Sequence, residues 1–234
     1  MDLFAISGLI NGVGSLSFGL LIFYKNWKDT INRIFLLLMV SLTLWSFSYW
    51  YWLSSAKTPE SALFWVRMLS IGSIWIPVFY FHWILLIVEK VKENKRSLFG
   101  VYFIAFLFSL FSFSDAFING VEQKAIFPYW PNAGPLYSFY LGCVYLGLVA
   151  YSLYLLIKSF RNNPEKRGQL FYVISGSILG FGGGLFNFFL WYNIPILPYG
   201  NFLVVFFSIC YGYAMQKYRL FNSKTIAAEL LTFT

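Results

Sequence analysis

Histidine and acidic residues are scarce in this chain of 234 residues, which holds one histidine and nine acidic residues against 17 basic ones. A single histidine cannot build a multi-histidine metal site. No pair of carboxylates lies inside an apolar stretch, so aspartyl proteolysis and a carboxylate proton relay have no reacting groups. No lysine precedes Lys217 in the last apolar stretch, so a mid-membrane retinal Schiff base has no attachment point. We therefore expect no metal site, no cofactor and no enzymatic activity in this chain.

Cysteine and signal-peptide features are equally sparse. Cys143 and Cys210 both fall inside apolar runs, where a thiol usually behaves as a small hydrophobic group, so no disulfide is expected. The N-terminal segment starts with an acidic residue, and its apolar run of about 22 residues is too long for a signal-peptide core. We interpret this segment as a retained first span.

What the chain does have is apolar sequence. Apolar residues make up 59%, aromatic residues 23% and charged residues only 11%, whereas soluble domains carry about 25% charge. Crossing about 30 Å of hydrocarbon takes about 20 apolar residues in a helix. Seven stretches meet this requirement and predict an all-α membrane bundle, with spans at about 3–24, 33–53, 62–88, 97–115, 135–157, 169–191 and 196–216.

The basic residues alternate between the connections. Fourteen of the 17 follow spans 1, 3, 5 and 7: Lys25, Lys28, Arg33, Lys90, Lys92, Lys95, Arg96, Lys158, Arg161, Lys166, Arg167, Lys217, Arg219 and Lys224. Because positively charged loops stay in the cytoplasm, we expect the N-terminus outside, the C-terminus inside and a multi-pass protein of the inner membrane. The excess of basic over acidic residues thus reflects the membrane topology, and no nucleic-acid partner is expected.

Arg67 is the clearest candidate for a ligand contact, because ionisable groups at membrane depth are functional candidates. It lies near the outer end of span 3. Two interpretations stay open: the side chain reaches the outer head groups, or it faces inward to bind a polar ligand or pair with Asp115. His82 lies about 22 Å further along the helix, so it cannot share a site with Arg67, and we interpret it as structural.

An outer ligand pocket is a further hypothesis, because aromatic side chains gather near the outer ends of the spans. Its candidate residues are Tyr49, Trp50, Trp65, Arg67, Trp191 and Tyr199, with Asn187 in the same outer half. Asn187 needs a polar partner in hydrocarbon, and Asn201 is the candidate. The segment 116–134, rich in turn residues and aromatics, is either an interfacial belt or a lid over this pocket.

Glycine and proline mark the helices that pack closely or bend. Gly176, Gly180 and Gly184 recur every four residues, a spacing that lets helices approach closely. The additional glycines at 182 and 183 permit a hinge in the same span. Pro77 interrupts span 3 and permits a kink there.

Three segments resemble the seven-helix sensory region at the N-terminus of some bacterial histidine kinases and related signalling proteins: "NRIFLLLMVSLTLWSFSYW", "ALFWVRMLSIGSIWIPVFYFHW" and "YGYAMQKYRLFNSKTIAAELL". The resemblance covers nearly the whole chain. It implies a non-enzymatic input module that passes a ligand- or membrane-derived signal to a cytoplasmic transmitter. The chain departs from a kinase in having neither a phospho-accepting histidine on a cytoplasmic helix nor an ATP-binding domain, so kinase activity is not carried over.

The division expected from this resemblance is a membrane sensory domain at 1–216 and a cytoplasmic signalling helix at 217–234. Arg219, Leu220 and Phe221 would carry the output. The residues at the end of this predicted helix become more apolar, and no capping or helix-terminating residue follows them. We therefore expect that the sequence is truncated from a longer protein. The alternative is an amphipathic anchor on the inner leaflet.

Two other functions stay open. A small seven-helix transporter has the same span number and direction but should show two matching halves, and no convincing repeat is found. A structural membrane subunit is the third hypothesis. The partners expected are the lipid bilayer, a small-molecule ligand from outside, a cytoplasmic transmitter domain in cis or in trans, and a second copy of the chain in a homodimer.

Overall fold

The computed structural model describes residues 3–217. Seven helices form the described part: α1 (Leu3–Lys25), α2 (Thr30–Ser55), α3 (Pro59–Ile87), α4 (Lys95–Phe111), α5 (Pro135–Asn162), α6 (Arg167–Trp191) and α7 (Val204–Lys217). α5 contains a π-helical segment, Tyr140–Tyr145. Short 3-10 turns at Pro164–Lys166 and Tyr199–Leu203 precede α6 and α7.

Five of these helices are long and apolar enough to cross a membrane: α1, α2, α3, α5 and α6. α4 has 17 residues and α7 has 14 regular ones, so each is short for a span by itself. The helical membrane bundle predicted from composition is thus confirmed in its coarse form. The expected number of seven spans and the expected orientation stay predictions.

Local sequence explains where the helices begin. Asp29 caps α2, and its Oδ1 accepts a hydrogen bond of 3.1 Å from the backbone N–H of Ile31. Thr58 caps α3 in the same way, with Ser61 as the donor at 3.3 Å, and Pro59 occupies the first turn, where no N–H is needed. α3 then runs through Pro77 as one helix.

The helices close into a bundle with α3 at its centre. α1 and α2 are antiparallel neighbours, since Gly8 lies against Ser46 and Gly19 against Met39. α7 runs parallel to α1 and closes the bundle. The hydroxyls of Ser15 in α1 and Ser208 in α7 are 2.9 Å apart, and Asn11 Nδ2 donates to the carbonyl oxygen of Asn201, in the 3-10 turn before α7, at 3.0 Å.

Glycines bring α6 and α7 together, although not all those predicted. A Cβ at Gly176 or Gly180 would lie within 3 Å of Cys210 or Phe207. The third glycine of the predicted stripe, Gly184, would meet nothing within 4 Å, so its assignment to the packing face is corrected.

The third close approach is at Gly183 instead, where an added Cβ would clash with the carbonyl oxygen of Gly200 in the 3-10 turn before α7. The reason is helix geometry. A spacing of four residues drifts from the 3.6 residues of each turn, and the shorter step to Gly183 returns to the contact face.

One element departs from the all-helical expectation. The segment between α4 and α5 forms an antiparallel hairpin of β1 (Ile118–Lys124) and β2 (Phe127–Ala133). Its buried aromatics, Phe127 and Trp130, face the bundle. Burial of such side chains stabilises a hairpin that would be marginal alone in water.

The hairpin covers the end of the bundle where α1 begins and α6 ends, as the rings of Phe4 and Phe127 pack 5.4 Å apart. We call this the hairpin end. The opposite end carries the connections after α1, α3 and α5, and we call it the basic end.

Candidate functional site

A small cavity lies beneath the hairpin, and we call it the hairpin cavity. Seven aromatic side chains form most of its wall: Trp45, Tyr49, Trp52, Trp130, Tyr137, Phe188 and Trp191. They come from α2, β2, α5 and α6. No charged side chain lines the cavity. Its volume is about 10 Å³, which is space for one water-sized group.

The aromatic walls are mutually packed and therefore well positioned. Tyr137 and Trp191 stack with ring centroids 4.2 Å apart and nearly parallel planes. Trp52 and Trp130 approach to 4.7 Å. Such ring pairs contribute stabilisation in addition to that from the area they bury. The packing therefore holds the rings of the cavity wall in fixed orientations.

Two of the side chains that line this cavity carry a buried polar atom with no hydrogen-bond partner among residues 3–217: Asn187 at Oδ1 and Trp130 at Nε1. Asn187 is 4% exposed and Trp130 is fully buried. The other amide atom of Asn187, Nδ2, donates to Asn201 Oδ1 at 3.1 Å, which is the partner expected from the sequence. One acceptor and one donor on the lining side chains are thus left without a partner.

The residues predicted for one outer pocket divide among four places. Tyr49, Asn187 and Trp191 do share the hairpin cavity. Trp50 and Trp65 line a separate surface groove along α2. The single predicted pocket is corrected accordingly. The reason is that consecutive residues on a helix point about 100° apart, so Tyr49 and Trp50 cannot both face inward.

Arg67 and Tyr199 also lie outside the hairpin cavity. Arg67 forms an ion pair with Asp115, with 2.7 Å between Nη2 and Oδ1. This is one of the partners considered for Arg67 from the sequence. The ring of Tyr199 packs 5.2 Å from that of Phe4 and is 60% exposed.

Sequence analysis missed Trp45, Trp52, Trp130 and Tyr137 as cavity residues. For the first two a signal was present, because spacings of four and three residues from Tyr49 place them on the same face of α2. No comparable signal pointed to Trp130, whose position depends on the fold of the hairpin.

The hairpin is fastened over the cavity at two points. Trp52 Nε1 donates to the carbonyl oxygen of Tyr129 at 2.8 Å. Lys124 Nζ donates to the carbonyl oxygens of Pro131 and Trp191 at 3.2 and 3.4 Å. The second oxygen belongs to the last residue of α6, where a cation is favoured. These bonds tie the hairpin to α2 and α6.

Lys124 is an unusual cation, because its side chain is only 6% exposed. Burial lowers the pKa of this ammonium group, and Glu122, 3.7 Å away, partly opposes the shift. The sequence analysis gave Lys124 no role.

A second cavity lies deeper in the bundle, and we call it the central cavity. It is lined by Gly180 and Gly184 of α6, Phe207 of α7 and Tyr145 of the π-helical segment. Trp45, Ser73 and Phe188 line both cavities. The two spaces are therefore separated by shared side chains.

His82 lines neither cavity. Its Nδ1 lies 2.8 Å from the hydroxyl of Tyr102 on α4. This hydrogen bond joins α3 to α4, as expected of a structural histidine.

The family described as the N-terminal 7TM region of histidine kinase matches residues 9–224. The chain belongs to this family. The match confirms the resemblance drawn from the sequence and covers the helices, the hairpin and both cavities.

The N-terminal 7TM region of histidine kinase is a sensory input region and is not catalytic. Because the chain belongs to this family, it is a multi-pass membrane protein in a histidine-kinase context. No curated protein matches the chain.

Proposed function

We propose that the chain receives a ligand- or membrane-derived signal and passes it to a cytoplasmic histidine-kinase or similar transmitter, in cis or in trans. In this proposal the hairpin end faces outward and the basic end faces the cytoplasm. Residues 1–216 form the sensory domain. Residues 217–234 form the signalling helix, with Arg219, Leu220 and Phe221, which lie outside the described residues, as the output.

The observation that carries the proposal is the leftover pair of polar atoms in the hairpin cavity. A buried polar group without a partner costs about 1–3 kcal/mol. A ligand that donates to Asn187 Oδ1 and accepts from Trp130 Nε1 would recover that cost. This gives a bound state that differs in free energy from the empty one, as a sensor requires.

The lining indicates the chemistry of such a ligand. With no charged side chain among the described residues of the wall and seven aromatic side chains around it, the lining favours a small, uncharged aromatic compound with one hydroxyl group, for which the cavity must widen. A phenol carries both capacities in that group, since its O–H would donate to Asn187 and its oxygen would accept from Trp130.

Ligand size supplies the link to signalling. The cavity holds about one water-sized group, so a phenol must displace the hairpin or the helices that border it. α6 would carry that displacement to α7 through the Gly176, Gly180 and Gly183 contacts. A hydrogen-bonded group of Tyr80, Ser177 and Tyr211 joins α3, α6 and α7 at a deeper level.

The test fuses the whole chain at Thr234 to a histidine-kinase transmitter in proteoliposomes and measures autophosphorylation with phenol, using toluene as the apolar control. We expect phenol, but not toluene, to change the rate. Trp130→Phe keeps the aromatic ring and removes the N–H, so it should lower the apparent affinity for phenol about tenfold. Trp27→Phe, at the basic end, is the matched control and should leave the response unchanged.

An autophosphorylation rate that is indifferent to phenol would overturn the assignment of the ligand. A rate that is also unaffected by disruption of the bundle would overturn the sensory function itself. Uptake of labelled solute by the same proteoliposomes would favour the transporter hypothesis instead.

A further inference from the structure

An open cavity lies at the basic end, between the end of α3 and the end of α5. Its polar lining is Lys90, Lys158, Ser159, Asn162 and Asn163, and its volume is about 130 Å³. That is space for several water-sized groups. It shares no lining residue with the two cavities described above.

The two connections that border this cavity carry a strong excess of positive charge. Residues 88–96 and 158–167 together hold eight basic and three acidic residues. Two of the acids are already paired, Glu89 with Lys166 at 2.6 Å and Glu93 with Lys90 at 3.0 Å. Lys158 makes no ion pair within the described residues 3–217, so its charge is available to an anion.

The backbone at the end of α3 forms a turn that positions Glu89 for its ion pair with Lys166. Glu89 has a positive φ of 59°, a conformation that is sterically disfavoured for a residue with a Cβ. The backbone N–H of Glu89 donates to the carbonyl oxygen of Leu86, and that of Lys90 donates to that of Leu85. This pair of bonds ends the helix in a tight left-handed turn.

The turn directs the Glu89 side chain to Lys166 in the connection between α5 and α6. The two basic connections are therefore fastened to each other, and Lys90 forms one wall of the cavity between them.

The remaining lining complements an anion joined to an apolar body. Asn163 Nδ2 donates to Ser159 Oγ at 3.0 Å, so the hydroxyl proton of Ser159 is free to donate to a ligand. Lys158 and Asn162 add further donors. Val88 and Leu155 supply the apolar side of the same cavity.

We propose that this cavity binds the phosphate head group of an anionic phospholipid. α3 and α5 are both long and apolar enough to span the membrane, so their ends at the cavity lie where head groups lie. Basic pockets between membrane helices attract anionic head groups, and each lysine near the surface strengthens binding about fivefold. The phosphate would contact Lys90, Lys158 and Ser159, with the lipid's glycerol and first methylenes against Val88 and Leu155.

The experiment reconstitutes the full chain in nanodiscs that contain phosphatidylcholine with a minor share of phosphatidylglycerol, and measures the lipid retained on the protein by native mass spectrometry. We expect the wild-type chain to retain phosphatidylglycerol preferentially. Lys158→Gln should lower that preference about fivefold, and Lys158→Arg should restore it. Lys158 is exposed, so both variants should keep the fold, which circular dichroism verifies.

Lys95→Gln is the matched control, because it removes one positive charge from the same end of the bundle outside the cavity. An equal loss in Lys95→Gln would show diffuse attraction to the basic end and overturn the proposal. Displacement of the lipid by millimolar inorganic phosphate would indicate a free-anion site instead, and equal retention of both lipids would also overturn it. None of these outcomes depends on kinase signalling or on phenol binding at the hairpin end.

Discussion

The hydroxyl of Tyr140 donates a hydrogen bond of 2.7 Å to the backbone carbonyl oxygen of Ser73. Ser73 lies four residues before Pro77 in α3, so its carbonyl is the acceptor that a backbone N–H at position 77 would use. Proline has no N–H, and the tyrosine hydroxyl from α5 takes its place. Because hydrocarbon offers no water to pair a free carbonyl, this contact makes Pro77 tolerable in a spanning helix.

The same contact joins two irregular places in the bundle. Tyr140 is the first residue of the π-helical segment of α5, and Ser73 lines both the hairpin cavity and the central cavity. Ser73 and Tyr140 thus link the lining of both cavities to the π-helical segment of α5.

Tyr140→Phe should destabilise the protein by about 1–3 kcal/mol, because it leaves the Ser73 carbonyl without a donor. In a Pro77→Ala background the helix supplies its own N–H to that carbonyl, so Tyr140→Phe should cost much less there. The two costs are compared in a double-mutant cycle of unfolding in detergent. An identical cost in both backgrounds would show that the hydroxyl does not compensate for the proline.

Gly183→Ala should destabilise the contact between α6 and the 3-10 turn before α7 by about 1–3 kcal/mol, because the added methyl overpacks the interface. It would clash with the carbonyl oxygen of Gly200. Gly184→Ala is the neighbouring control. Its methyl meets nothing within 4 Å, and alanine favours a helix by about 1 kcal/mol over glycine. Thermal unfolding of the two variants should shift in opposite directions, and a greater loss for Gly184→Ala would contradict the packing described here.

Asn201→Ala should cost about 1–2 kcal/mol, as expected for interhelical hydrogen bonds in a membrane. Asn201 Nδ2 donates to Ser7 Oγ at 2.7 Å, and its Oδ1 accepts from Asn187 at 3.1 Å. The side chain thus joins α1 to α6. Asn119→Ala, at an exposed position of β1, serves as the control in the same unfolding measurement and should change stability little. Equal effects of the two changes would count against the buried network.

Lys124 should make stability depend on pH. Burial lowers its pKa in the folded protein below the ordinary value of 10.5. Between the two pKa values the unfolded chain binds more protons than the folded one, so the contribution of this side chain to stability increases as pH rises through that window.

The measurement for Lys124 is the shift in unfolding midpoint from about pH 8 to about pH 10, compared with the shift in Lys124→Met, which lacks the titrating group. The wild-type shift should be the more positive of the two. Identical shifts would mean that the ammonium group is as well solvated in the folded protein as in the unfolded chain.

Two polar contacts were predictable from the sequence because the membrane leaves so few choices. Asn187 and Asn201 are polar groups in the same half of adjacent spans, and hydrocarbon penalises either one alone. Arg67 had Asp115 as the acid at a similar depth. Both contacts are present in the structure. Scarcity of polar groups made these partners identifiable.

The sites that depend on helix rotation were less predictable. Trp50 follows Tyr49 directly yet faces a different surface, and Gly184 follows Gly183 yet misses the neighbouring helix. A turn of about 100° per residue makes such assignments sensitive to a shift of one position. The hairpin was missed for a different reason: its stability comes from burying Phe127 and Trp130 against the bundle, and local turn signals do not report on that burial.

By itself, the amino-acid sequence determined that the protein is a helical membrane bundle of the histidine-kinase input family. Long apolar stretches have no stable alternative in water, and the quoted motifs are local. Only the tertiary structure decided which aromatic faces enclose a cavity, which glycine admits a neighbouring backbone and which hydroxyl replaces the missing N–H of Pro77. These features depend on how separate helices are rotated and spaced against one another, and packing across the whole bundle sets that geometry.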